Sequence, residues 1–506
     1  MFFLNYQNQT MFDLKNRMAR LSDLGKPREE FLYASIQNFQ RGPRRAEMLL
    51  GQKYYVNEND ITERVRYYID RKGVKQEVTN LANSQLSHPF MRKLTNQKVN
   101  YLLSKDFSVV CEDDTFKALL EKQYFTKRFK KMLKNLGKDA IVNGIAWLQT
   151  YYDEMGALQF KRIPSEEVIP FWADAEHTVL EGLVRYYTII RYKPDSTTEE
   201  IVKVESYTTK GIWHFVQGSK GLEPDTDYEE ILTGHFVANQ QVQTPEGQTV
   251  EQAVQAVWNR IPFVGFKYNA DELSLIKWVK PLIDDYDLNT SDTSNNLQDV
   301  PNSIKVVKNY DGTDKGEFVQ NLATFRTAFV SGDGDMTAVE TKLDIAAIDS
   351  HLNRLRKDIY EAGNGVDTQV EELGNASGVA LKFRYADLDI DSEGLSNEFR
   401  DSLDQLLWFI KTDILNRGGG DYMNTEVEIV FNTDSIINES EVIQDVKNSV
   451  GIISDETALT NHPWVTDVKD EMKKVKKQKA EAIAEAQEEM NAGFGTTAGV
   501  NTQTEE

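Results

Sequence analysis

The sequence predicts an α+β fold organised around a helical hairpin with a small folded tip, and three observations carry that expectation. Two stretches, one after Ala270 and one before Gly363, repeat apolar residues at helical spacing and read as arms running out and back. Between about 140 and 268 the pattern changes to short alternating runs separated by polar turns, the mark of antiparallel strands. From 435 to 490 the period is helical again.

In the first arm Leu275, Val279, Leu282, Ile283 and Tyr286 share one face, after a polar entry of Asn269, Asp271 and Glu272. Asp284, Asp285, Asp287 and Asp292 fall on other faces, so the helix is expected to have an acidic outer side. Pro281 should kink this helix or mark its start, because proline lacks the backbone donor and crowds the preceding turn. The return arm carries Ile348, Leu352, Leu355 and Ile359 in one stripe, and Gly363 with Gly365 supplies its stop. Between the arms, Ser303 to Val307 reads as a strand and Asn309 to Gly312 as a turn. Glu317 to Phe325 reads as a short helix, and Ala328 to Val330 as a second strand before Gly332-Asp333-Gly334.

Ahead of the hairpin, residues 10 to 50 read as helical with a break at Arg41 to Arg45, and Met48 to Tyr55 reads as an aromatic strand or turn. Arg41, Arg44 and Arg45 are expected to form a solvated face rather than a phosphate site. A further helix holds Leu94, Lys98, Tyr101 and Leu102 and ends near Ser104 to Asp106. His88, before a proline and without a second ligand, is expected to be structural. Thr126 to Lys138 is a basic amphipathic helix that turns Phe129, Leu133 and Leu136 inward; its lysines are expected on an exposed face, with a phosphate-facing role as the alternative.

Ala146 to Tyr152 and Ala157 to Ile163 form a predicted hairpin about the turn Asp153 to Gly156, and Leu183 to Tyr192, Ile201 to Thr208 and Gly211 to Val216 are further strands. Asn375 to Tyr385 fits both a strand and a helix face. Leu395, Phe399, Leu403, Leu406, Ile410 and Ile414 are helical up to Gly418-Gly419-Gly420, and a strand from Glu426 to Phe431 follows. Next come a helix from Glu439 to Val450, Ser454 as an N-cap, and a charged helix from about Thr466 to Met490. That last helix places Lys473, Lys474, Lys476, Lys477 and Lys479 ahead of Glu481, Glu485, Glu488 and Glu489, a pattern of solvated faces or helix-packing surfaces. Residues 491–506 read as a mobile, disordered tail.

With 506 residues and 40% hydrophobic content the chain can fill two to four domain cores. Cys111 is the only cysteine, so no intrachain disulfide can form; a buried thiol and a reducing compartment are expected. There is no run of eighteen apolar residues and no charged, apolar leader at Met1 to Asn5, so a soluble, unexported chain without a membrane partner is expected. Lys plus Arg is 58 against 80 Asp plus Glu, a net charge of −22 that argues against nucleic acid held by a broad basic surface. In a confined passage that charge would instead repel phosphates.

Catalytic chemistry finds no footing. No Gly-x-x-x-x-Gly-Lys-Ser/Thr run exists, and Gly218-Ser219-Lys220-Gly221 lacks the spacing. The six histidines are dispersed, without a His-Glu-x-x-His or Cys-x-x-Cys pair. Asp333 and Asp335 lack the rest of a calcium loop, and the adjacent Asp284 and Asp285 point apart on a helix. No catalytic residue, metal site or cofactor is therefore expected, and the chain is not expected to be an enzyme.

The chain resembles the portal proteins of tailed bacteriophages, of the type found in long-tailed phages of Gram-positive hosts. The resemblance rests on Gly144-Ile145-Ala146-Trp147 through Tyr152 to Gly156, on Val168-Ile169-Pro170-Phe171-Trp172 and on Asn259-Arg260-Ile261-Pro262-Phe263. It continues through Ile283 to Asp287 with Ser291, Asp292 and Asn296, Leu355 to Tyr360 with Gly365-Val366-Asp367, and Ser377 to Lys382. It implies a ring, commonly a dodecamer, at one vertex of the capsid, through which double-stranded DNA is packaged into the procapsid and later ejected. Implied partners are further copies of the chain, the terminase large subunit, the major capsid and scaffolding proteins, and a head-completion adaptor. The implied location is the virion, after assembly in the host cytoplasm.

The family's parts, carried onto this sequence, make 1–268 the wing, 269–299 the first stem helix, 300–343 the clip and 344–363 the second stem helix. Residues 364–377 become the tunnel loop, 378–434 a long kinked wing helix with its return strand, and 435–490 the α-helical crown. The resemblance tips the ambiguous segment toward helix, with a break near Asp389 to Ser392. In the loop Gln369, Glu371, Glu372, Asn375 and Ser377 are the candidates to face DNA, and Asp284, Asp285, Asp287 and Asp292 are the candidate acidic face of the stem. Two rival readings from other classes are a DNA-packaging or DNA-processing enzyme and a capsid scaffold or adaptor that binds proteins only.

Overall fold

The computed structural model describes residues 29–69, 72–77, 81–194, 196–243, 249–299, 304–308, 335–339, 344–369, 378–432, 439–465 and 467–494. Helices α1 (Glu29–Arg41) and α2 (Pro43–Tyr55) open the described chain, with Pro43 at the start of the second, where a missing donor costs nothing. The expected strand or turn at Met48 to Tyr55 is helix. Met48, Gly51 and Tyr54 recur along its buried side, and a Cβ at Gly51 would lie 2.2 Å from the Val142 carbonyl oxygen, so α2 meets the backbone of the later helix that holds Val142.

A hairpin of β1 (Tyr67–Ile69) and β2 (Lys75–Glu77) follows, then α3 (Phe90–Leu103), β3 (Ser108–Cys111), the short α4 (Asp114–Leu119) and α5 (Lys127–Asn143). The basic helix α5 buries Phe129, Leu133 and Leu136, as its period predicts. It ends at Gly144, whose φ of +87° and whose contact with the Glu272 carbonyl, 2.1 Å from an added Cβ, both require glycine. Cys111 is half-buried and packs against the main core.

Strands β4 (Ile145–Tyr152) and β5 (Leu158–Ile163) form the expected hairpin. A larger antiparallel sheet holds β6 (Val168–Trp172), β7 (Leu180–Tyr192), β8 (Thr198–Thr208), β9 (Gly211–Gln217) and β10 (Leu222–Pro224), with β11 (Leu232–Thr233) also on β9. Phe31, Leu32 and Ile36 of α1 pack on it against Ile169, Val184, Val204 and Phe215. Strands β12 (Phe236–Gln243) and β13 (Thr249–Ala256) pair with each other, and β14 (Phe263–Lys267) joins β4 to make the order β14-β4-β5.

The hairpin arms are α6 (Ile276–Asp299) and α7 (Ile345–Ala362). The first helix starts later than the polar entry implies, because Asn269 closes its own loop by hydrogen bonds to both the N–H and the carbonyl of Leu273. Pro281 lies inside the helix. Between the arms β15 (Ile304–Lys308) pairs antiparallel with β16 (Asp335–Val339), so the described partner of the first tip strand is 335–339. The expected helix at 317–325 and strand at 328–330 lie outside the described residues.

Helix α8 (Gly378–Asn416) settles the ambiguous segment as helix, and it runs without interruption through Asp389 to Ser392, where a break was implied. Leu395, Phe399, Leu403, Leu406 and Ile410 bury its inner side against β14, α5 and α3. Strand β17 (Val427–Val430) returns to pair with β3. Helices α9 (Glu439–Ser449), α10 (Asp455–Thr460) and α11 (Val468–Phe494) complete the chain, and α11 extends four residues into the expected tail. Ser454 caps α10 by accepting from the Thr457 N–H at 3.2 Å. Among the described residues, no helix is long and apolar enough to cross a membrane.

Candidate functional site

The two arms pack on each other and on α3 through an aromatic cluster. Tyr286 of α6 meets Phe90 and His88 edge to face at 5.1 and 4.8 Å, and Phe90 meets Tyr360 of α7 at 6.2 Å. Ile283, Ile359 and Tyr360 are buried in the same core.

Alongside α6 the extended segment Ser84 to His88 is held by a polar ladder. The N–H groups of Ser84, Leu86 and His88 donate to Asn295 Oδ1 at 2.6 Å, Ser291 Oγ at 2.9 Å and Asp287 Oδ1 at 3.0 Å. Two extended residues advance about 6.6 Å and four helical residues about 6 Å, so alternate N–H groups keep step with every fourth helix residue. The acceptors stand four apart in sequence, a spacing that could have been noticed once the segment beside them was known.

This ladder corrects the expected acidic face. Asp287 is fully buried: besides the His88 N–H it bonds the His88 ring Nδ1 at 2.7 Å and accepts from Asn59 Nδ2 at 2.6 Å. His88 is thus structural, as its sequence context suggests. Asp284 accepts from the Tyr54 hydroxyl and pairs with Lys280 at 2.5 Å, and Asp292 pairs with Arg64 at 2.6 Å. Burial works against the charge of Lys280, yet Asp284 and Asp60 raise its pKa well above the ordinary lysine value. Among the described residues Asp285 pairs with no lysine or arginine and stays partly exposed, with His351 at 3.4 Å and Asn289 at 2.9 Å.

Where α7 ends, the chain is fastened to α3. Gln97 donates to the Val366 carbonyl at 3.1 Å and accepts the Val366 N–H at 3.0 Å, closing a two-way bridge. Arg356 grips Asp367 with two bonds, at 2.5 and 2.8 Å, and holds its carboxyl below the usual range. Gln369 is exposed, its N–H on Asp367 Oδ1 at 3.1 Å. Glu371, Glu372, Asn375 and Ser377 lie outside the described residues.

Farther along, α8 returns to the same helix at Asp389 and Asp391. Lys98, fully buried, donates to Asp391 Oδ2 at 2.7 Å and to the Asn364 carbonyl at 3.1 Å, while the Tyr268 hydroxyl donates to Asp391 Oδ1 at 2.9 Å. Tyr101 bonds Asp389 one helical turn along. Burial lowers the Lys98 pKa, and Asp391 opposes that shift. The sequence marks Lys98 only as a polar member of an amphipathic helix.

A second buried group fixes the corner before α6. Glu272, with a left-handed φ of +55°, accepts from Arg44 and lies 2.7 Å from Nδ1 of His177, whose φ is +56°. Arg44 therefore leaves the expected solvated face, because the buried Glu272 carboxylate needs its charge. Among the described residues no three His, Cys, Asp or Glu side chains stand together as a metal site.

The family profile described as phage portal protein, SPP1 Gp6-like, matches residues 41–485, which takes in both arms, the α3 anchors and the helices beyond. The chain belongs to that portal family. It is 29% identical to the portal protein of Bacillus phage SPP1 over 437 residues, 85% of this chain and 83% of the relative. It is also 30% identical to the portal protein of Clostridium phage phiCD119 over 442 residues, 84% of this chain and 91% of the relative. A portal serves DNA packaging in a bacteriophage virion; portal proteins are structural and form ring oligomers. In this portal the hairpin and its α3 anchors form the candidate site.

Proposed function

We propose that copies of this chain, twelve in the ring the family commonly builds, stand side by side at one capsid vertex with their α6–α7 hairpins around a central hole. Double-stranded DNA passes through without sequence-specific contact, inward during packaging and outward at ejection. On this reading 269–299 and 344–363 are the stem, 300–343 the clip, 364–377 the tunnel loop, and 435–490 the crown. The wing is formed by 1–268 with 378–434, which includes the long helix and its return strand. Gln369, Glu371, Glu372, Asn375 and Ser377 face DNA, and Asp285 contributes to the acidic stem surface. The terminase large subunit docks first and a head-completion adaptor later, with major capsid and scaffolding proteins around the ring, which assembles in the host cytoplasm.

The observation that carries this reading is the family match across 41–485, a span that includes the hairpin and its anchors. The net charge of −22 supports it, since repeated carboxylates around a bore repel the phosphate backbone. The enzyme and adaptor readings have no comparable support.

The test is direct. Light scattering on the purified chain should give the mass of a large ring, and negative-stain images should show a central hole. A compact single-copy species under every assembly condition would overturn the proposal.

A further inference from the structure

The charge blocks of α11 have no role in the hairpin. Lys473, Lys474, Lys476, Lys477 and Lys479 are all exposed, and Glu481 to Glu489 follow them along the helix. Such segregation is unfavourable for a helix alone. It sets Lys473 beside Lys476 and Lys477, at the three- and four-residue spacings where like charges repel, and the sequence repeats glutamate at the same spacings from Glu481 onward. Among the described residues one ion pair joins the blocks, Lys477 with Glu481 at 3.8 Å, and it runs in the less favourable order of base before acid.

Other partners within the chain are few. Lys474 turns back to Asp470 at 2.9 Å and Lys479 reaches Asp455 at 3.5 Å; among the described residues Lys473 and Lys476 have no carboxylate partner. The apolar positions Val468, Met472 and Val475 are half-buried, yet Ile483, farther along and just past the seam of the blocks, is 60% exposed. Beyond its first turns, then, the helix offers a charged and partly apolar surface.

We propose that this surface docks against α11 of a second copy of the chain, the lysine block of one helix facing the glutamate block of the next. A ring supplies the geometry, because its contacts are heterologous: one side of a subunit meets the other side of its neighbour. Block centres about nine residues apart correspond to an offset of roughly 13 Å between adjacent helices. The offset pairs opposite charges and covers Ile483. It also makes every subunit both donor and acceptor, so the contact closes only with the ring. This inference rests on the ring proposed above, and names the crown contact within it.

Three variants of the full chain test it: Lys473→Glu with Lys476→Glu and Lys477→Glu; Glu481→Lys with Glu485→Lys and Glu488→Lys; and all six together. Mass photometry at a concentration where the parent is fully assembled should show the ring lost for each single-block variant. An equimolar mixture of the two should restore it, since a predominantly acidic helix then meets a predominantly basic one, and the six-fold swap should restore it alone. Restoration also shows that the variants fold. A single-block variant that assembles like the parent, or a mixture and swap that both stay unassembled, overturns the helix contact while leaving the ring standing. A parent that forms no ring removes the ring reading and this inference with it.

Discussion

Replacing Asp287 with alanine would leave the His88 N–H and the His88 ring without this acceptor inside the protein, and the Asn59 amide with the His88 carbonyl alone. Donors stranded in that way cost about 1–3 kcal/mol each at most, and losses within one network overlap, so a total of about 3 kcal/mol is expected. Asp285→Ala, on a side chain 46% exposed, should change stability by less than about 0.5 kcal/mol. Urea midpoints of the two variants compare the residues directly, and equal shifts would contradict the buried role of Asp287. Helical period correctly set both aspartates off the apolar stripe. It could not tell which polar flank would be covered, because the cover comes from Ser84 to His88, about two hundred positions away.

At the scale of elements, Lys98 joins three pieces: α3 itself, the turn after α7 through the Asn364 carbonyl, and α8 through Asp391. Lys98→Met removes one partner of a buried ion pair and should destabilise the chain by about 3–5 kcal/mol. Hydrogen exchange adds a sharper readout. Amides from Asn364 to Asp367 and around Asp391 of α8 should exchange faster together; a change confined to α3 would refute the joining role. The extent of most helices and strands was legible from period alone. Met48 to Tyr55 was not, because aromatic residues favour strands intrinsically while packing against α5 makes this stretch a helix. The strand at Asp335 to Val339 was also missed: Asp-Met-Thr-Ala-Val is short and carries one β-branched apolar residue, and only its pairing with Ile304 to Lys308 reveals it.

Across the whole molecule the proposed tunnel loop is the part with the clearest functional consequence. Glu371→Lys with Glu372→Lys should impair packaging strongly while ring assembly stays intact, because lysines attract the phosphates that the carboxylates repel. Packaging assays on procapsids, run beside a mass measurement of the ring, separate the two effects; undiminished packaging would count against placing these residues in the bore. The family itself was readable from the order of short motifs, from Gly144 to Lys382, although each motif is weak alone. The candidate acidic stem face was read too broadly, since composition and helical angle locate charge without showing what it touches.

Periodicity, composition and motif order are properties of neighbouring residues, and they determined the α+β class, the helical hairpin, the basic amphipathic helix and the portal family. Which polar groups lie inside was decided only by the tertiary structure. Lys98 and Asp391 are 293 positions apart, and Arg44 and Glu272 are 228 apart. Loss of water around a charge depends on the elements that close over it, and those elements arrive from distant parts of the chain.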